Sequence, residues 1–151
     1  MERREAIKEI IQGLLERMNI RAEIDEAVLM DSACFHIKIP DSNILIGENG
    51  QYLFSFYSIV KRIIERRFPD DHAPFLIDVN DYQRKHIEEI KERARMSAQR
   101  VRYFKKEVVM QPMSAYERRI IHMSLEEDPD VVTESVGEGE TRRVVIKPAL
   151  P

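Results

Sequence analysis

The sequence predicts an α+β protein in two parts, residues 1–80 and 81–151. Three observations carry this. Apolar residues recur at helical spacing in long segments and at period two in the short runs between them. In the first part the two patterns order themselves as helix, strand, strand, short helix, long helix, strand. In the second, a long helix comes first and two β runs around Gly137-Glu138-Gly139 come last. Helices set beside short strands in this way make compact α+β units.

Each element has its own warrant. Ala6, Ile7, Ile10, Ile11, Leu14, Leu15 and Met18 share one face of an amphipathic helix over the first 18 residues. A strand follows from Arg21 to about Leu29. Ala33, Phe35, Ile37 and Ile39 then alternate with Cys34, His36 and Lys38, the pattern of a strand with one apolar face, ended by Pro40. Asp41 or Ser42 can cap a very short helix that runs into Gly47. After Gly50, Leu53, Phe56, Tyr57, Val60, Ile63 and Ile64 make a helical stripe that stops at Pro69, and Phe75 to Val79 is a third strand.

The long helix runs from Asn80 or Asp81 to about Lys106 on a stripe of Ile87, Ile90, Ala94, Ala98, Val101 and Phe104. The boundary falls near residue 80, with this helix open to being shared by both parts. Along its edge Arg84, Lys91, Arg95, Arg102 and Lys106 line up, and residues 91–106 hold seven basic groups against one acid, Glu92. Glu107 to Met110 is a candidate strand. Ser114 and Glu117 have capping-box spacing ahead of RRIIHMSL. Asp128-Pro129-Asp130 ends that helix, and Val131–Val136 with Arg142–Ile146 form a hairpin.

A formal charge of -3 argues against a protein that coats nucleic acid by net charge, but leaves room for a local basic patch. The single cysteine, Cys34, cannot make an internal disulfide, which suits a reducing cytosol. Charges scattered through the first 18 residues exclude a signal peptide or a membrane span there, and no other run is long and apolar enough. The expectation is a soluble, cytoplasmic protein.

Between the short and long helices of the first part stands LIGENG, in which Gly47 and Gly50 bracket Glu48 and Asn49. Glycines there allow positive φ or close approach of a ligand backbone. The element order with this GxxG loop resembles a type II KH domain: helices on a three-stranded sheet, with a groove for single-stranded RNA or DNA beside the loop. The resemblance implies nucleic-acid contact at Gly47, Glu48, Asn49 and Gly50, with amides of the following helix facing a phosphate. Glu48 departs from the pattern, since such loops usually carry a basic residue. A carboxylate ~4 Å from a phosphate costs about 1 kcal/mol in water. A tight turn between helices stays open as the other account of the loop.

Arg118 and His122 stand four apart on one helix and so project from one face. Arginine offers a fork of donors to a phosphate, and histidine can donate, stack on a base or gain charge. Spacing alone fits a solvated helix face equally well. The pair, followed by an acidic turn, TESVGEGE and RRVVIKP, is similar to an R3H domain over roughly residues 85–148. That module is associated with single-stranded nucleic acid, with Arg118 and His122 as its signature. Arg142, Arg143 and Lys147 are candidate helpers, as are Arg95 and Arg102 on the long helix; surface charge accounts for each as well.

KH running into R3H across the chain resembles the Jag (SpoIIIJ-associated) family of bacteria, with the N-terminal domain of many members expected to be missing. The resemblance implies a noncatalytic binder of single-stranded RNA, linked to cell division, envelope growth or sporulation; single-stranded DNA is a second ligand. The alternative is a protein–protein scaffold with a degenerate KH loop. The seven acids between Glu126 and Glu140 would then form a surface for a basic partner, rather than a solvated hairpin. GENGQY lacks the Lys-Ser/Thr of a nucleotide-cradling loop, and no nucleophilic triad or acid/base pair stands out. His36, His72, His86 and His122 show no metal-ligand spacing. No cofactor, metal or catalysis is expected.

Overall fold

A computed structural model describes residues Glu2–Leu150, and the chain divides into two compact units, Met1–Arg84 and Lys85–Pro151. In the first, helix α1 (Arg3–Arg17) buries Ala6, Ile7, Ile11 and Leu15. Strands β1 (Glu23–Leu29) and β2 (Ser32–Lys38) pair antiparallel, joined by a two-residue turn with Met30 and Asp31 both at positive φ. Helix α2 (Asn43–Ile46) and helix α3 (Gln51–Arg67) then carry the chain across to β3 (Phe75–Val79), which lies parallel to β2. The sheet order is β1-β2-β3, and this is the helix and three-stranded-sheet unit expected of the first half.

The core of this unit collects Ile7, Ile11, Phe35, Ile37, Val60 and Ile77, all within 2% of full burial. Burying an Ile or Phe of this kind contributes about 1.5–3 kcal/mol. Cys34, which alternates with the apolar residues of β2, is buried as well, on the central strand of the sheet. Burial first, and then the nearby Asp78 carboxylate, push the Cys34 thiol up to about 11.

The short helix α2 is closed by Asp41, whose Oδ1 accepts from the Asn43 N–H. Helix α4 (Tyr82–Phe104) starts later than the sequence suggested, and neither Asn80 nor Asp81 caps it. Both sit at positive φ, outside helical space. The Asn80 amide donates to the Ile39 carbonyl and accepts from the Ile39 N–H, extending the β2–β3 ladder by a side chain. The cap is Asp78, only 2% exposed, whose two carboxylate oxygens accept from the Gln83 and Arg84 N–H groups.

In the second unit α4 buries Ile87, Ile90, Ala94, Ala98 and Val101. After β4 (Val108–Val109), Ser114 caps helix α5 (Ala115–Leu125) in a full capping box with Glu117. Strands β5 (Val131–Val136) and β6 (Arg143–Pro148) follow, in a sheet of order β4-β6-β5 with antiparallel pairs throughout. Strand β6 begins one residue after the expected Arg142 and runs through to Pro148. Helix α5 packs on β5 and β6 through buried Ile120, Ile121 and Leu125. Among the described residues no helix is long and apolar enough to cross a membrane.

Candidate nucleic-acid interface

The glycine loop of the first unit is a tight turn between α2 and α3, closed by the Gly50 N–H donating to the Gly47 carbonyl at 3.4 Å. Gly47 lies at φ 72, ψ -176, a region open essentially to glycine, and Asn49 and Gly50 are left-handed. The Tyr52 ring covers Gly47: a Cβ built there would lie 2.6 Å from the ring Cγ and Cδ2. The turn geometry therefore requires glycine at 47 whether or not a ligand approaches. Glu48 and Asn49 project exposed from its crest. Helix α3 starts without a side-chain cap or an acid in its first turn, so its leading amides remain open to an anion.

Arg118 and His122 lie on α5 but do different things. The partly buried Arg118 donates one Nη1 bond, 2.7 Å, to the Met113 carbonyl, fixing the chain that leads into the capping box. Arg118 also lines an open depression together with Pro112, Met113, Ser114, Ala115, Gly139 and the acid Glu140. Glu117, on the same rim, is already engaged in the capping box and with His86. His122 turns toward β5, with Nδ1 2.6 Å from the Thr133 hydroxyl and Nε2 2.9 Å from the Ser135 hydroxyl. Burial, and then the Arg118 charge, lower its pKa, so the imidazole is neutral near pH 7. A neutral ring donates through one nitrogen and accepts through the other, and the two hydroxyls supply both complements.

The helper residues are largely engaged as well. Arg142 donates to the Gly137 carbonyl and Arg143 to the Thr141 carbonyl, so both close the hairpin loop. Lys147 bonds Glu134 at 2.7 Å across the β5–β6 pair. That hydrogen bond lowers the Glu134 pKa and raises that of Lys147. Arg95 pairs with Glu92 one turn away, and Arg102 with Asp128, tying α4 to the turn before β5. The acidic stretch is thus partly neutralised by Arg102 and Lys147. The structure gathers Arg118 and His122 onto one helix face, sets Arg142, Arg143 and Lys147 at and beside the hairpin, and leaves Arg95 and Arg102 on α4.

Two features escaped the sequence. His36, Asp78 and Asp81 bring ligand atoms within 4.8 Å of one another. Their polar atoms serve the fold, however: Asp78 caps α4 and the His36 Nε2 accepts from the Asp81 N–H. The second is Arg93 and Arg100 on α4, which are exposed and make no ion pair among the described residues. Their signal was available as helical spacing, since they stand two turns apart on one face.

Comparison with known proteins bears on this geometry. An R3H domain is matched over residues 80–148. Over most of its length the chain is similar to proteins named RNA-binding protein KhpB. It is 31% identical to that of Clostridium symbiosum, covering 91% of this chain and 63% of the relative. It is 28% identical to that of Bacillus subtilis, covering 90% and 66%. The similarity to the protein of Lactiplantibacillus plantarum is 23%, over 93% of this chain. The chain spans less than two thirds of the length of these curated relatives, 63%, 66% and 44% in turn.

Proposed function

We propose that this is a Jag-family protein, on its likeness to an R3H domain over residues 80–148 and to the KhpB proteins over most of its length, and that it binds single-stranded RNA in the cytoplasm without catalysing a reaction. The observation that carries this reading is Arg118: its guanidinium is anchored by one bond and its side chain lines an open depression. A fork fixed at one prong presents the others to a phosphate with little further loss of side-chain freedom. His122 acts behind it, holding β5 against α5 rather than serving as a cation. The uncapped N-terminus of α3 offers a second phosphate position in the KH-like unit, opposed by the exposed Glu48.

Glu48 is also the observation that favours a second reading, a scaffold that pairs with a basic protein through the acidic hairpin. Salt separates the two. Phosphate contacts release counterions, so RNA affinity falls steeply with salt, whereas an interface with an apolar core responds less. The test is fluorescence anisotropy of a labelled mixed-sequence single-stranded RNA at two salt concentrations, for the natural chain and Arg118→Gln. Salt-sensitive binding that Arg118→Gln weakens is the expected result. No binding at low salt overturns the RNA reading.

A further inference from the structure

Helix α4 carries basic and aromatic residues together on one exposed face. Arg93, Met96, Arg100, Tyr103 and Phe104 follow one another at steps of three, four, three and one residues, which keeps them within about a third of the helix circumference. All are exposed; Tyr103 is 81% and Phe104 63% accessible, the rings set edge to face at 4.8 Å. Arg93, Met96 and Arg100 form one wall of a groove of about 410 Å³, whose other wall is β4 and the segment after it, with Val109 54% exposed. No acidic residue lines it. Strand β4 is an edge strand, bonded to β6 on one side and open on the other.

We propose that this face is a binding path for single-stranded RNA: Arg93 and Arg100 hold successive phosphates along the groove, and Tyr103 and Phe104 stack bases at its end. The proposal rests on the RNA reading above but uses none of the residues that carry it. Charge complementarity selects the occupant. Two unpaired guanidiniums roughly 10 Å apart along the axis suit a flexible polyanion. Exposed aromatic rings beside them suit unpaired bases, because every base offers a π face whatever its identity. A duplex would keep its bases stacked inside and leave the rings without partners. The residues singled out by charge alone, Arg95 and Arg102, lie off this face and are held by Glu92 and Asp128.

The test compares three double variants of the full chain with the natural one, by anisotropy of a labelled mixed-sequence single-stranded RNA across a salt series. Arg93→Gln/Arg100→Gln should weaken binding on the order of 20-fold at 0.1 M salt. It should also flatten the slope of log affinity against log salt by about 1.4, because about 0.7 is lost per phosphate on a single strand. Tyr103→Ala/Phe104→Ala should weaken binding by roughly five-fold or more per ring and leave the slope unchanged. Arg17→Gln/Arg21→Gln, an exposed pair in the other unit, should leave both quantities near the natural values. The altered side chains are exposed, and circular dichroism of each variant is the check that it folds.

This split between affinity and slope is what a merely structural role would not produce. If Arg118→Gln weakens binding while the α4 variants bind like the natural chain, the path is wrong and the RNA reading stands. The path is also wrong if the Arg17/Arg21 control flattens the slope as much as Arg93→Gln/Arg100→Gln. A natural chain that binds no RNA at low salt overturns both. Displacement of a labelled acidic peptide, but not of RNA, through Arg93 and Arg100 would assign the groove to a protein strand and overturn the proposal.

Discussion

Replacing Gly47 by alanine tests what the glycine loop is for. Its φ of 72 and ψ of -176 lie where side chains are essentially excluded, which costs about 1–3 kcal/mol. The new Cβ would also stand 2.6 Å from the Tyr52 ring, and something must shift. Tyr52 is 57% exposed, so its ring can swing outward and lose its contact with the loop, a further cost on the order of 1 kcal/mol. The expected total is about 2–4 kcal/mol. The chain has no tryptophan, so urea unfolding followed by far-UV circular dichroism is the assay. Repeating the substitution in a Tyr52→Ala background separates the two parts: the clash disappears and the backbone cost stays. Equal costs in both backgrounds would refute the clash. A total below about 0.5 kcal/mol would refute the backbone reasoning as well. Gly50→Ala should cost less, about 1–2 kcal/mol, because Gly50 is left-handed rather than in the glycine-only region.

Asp78→Ala leaves the Gln83 and Arg84 N–H groups without their acceptor at a part-buried helix start, and should destabilise by roughly 1–2 kcal/mol in the same urea assay; Asp78→Asn, which keeps one acceptor, should cost less. His122 titrates below the ordinary histidine range when folded, so the unfolded chain takes up its proton first as pH falls. Its contribution to stability is therefore present above the unfolded pKa of about 6.5 and lost as pH drops below it; His122→Gln should flatten the change in urea midpoint between pH 7.5 and 5. Cys34, with its thiol pushed up to about 11 and its side chain buried, should not react with a disulfide reagent at pH 8 until urea unfolds the chain. Glu48→Lys should tighten RNA binding and steepen its salt dependence; an unchanged titration would remove the loop crest from the interface.

Local periodicity was enough to place the elements, because the 3.6- and 2-residue repeats report which side chains a helix or strand can hide. The stripe from Ile7 to Leu15, the alternation at Phe35 and Ile37, and the Ser114–Glu117 capping box all appear in the structure as the sequence suggested. The R3H signature was legible only through resemblance: spacing sets Arg118 and His122 on one face, and the blocks TESVGEGE and RRVVIKP after them are what resemble that domain. What the sequence could not supply were partners distant along the chain. Asn80 answers the backbone of Ile39, 41 residues away, and so the cap of α4 fell to Asp78 instead. By spacing His122 could stand on a solvated helix face, but β5 brings Thr133 and Ser135 to both of its nitrogens. Of the basic residues on α4, composition could only count them. Tertiary contacts decided that Arg102 is tied to Asp128, whereas Arg93 and Arg100, on the same face of α4 as Tyr103 and Phe104, make no ion pair among the described residues. A charge is available to a ligand only when the fold has not already neutralised it, and that depends on which distant segment packs beside it.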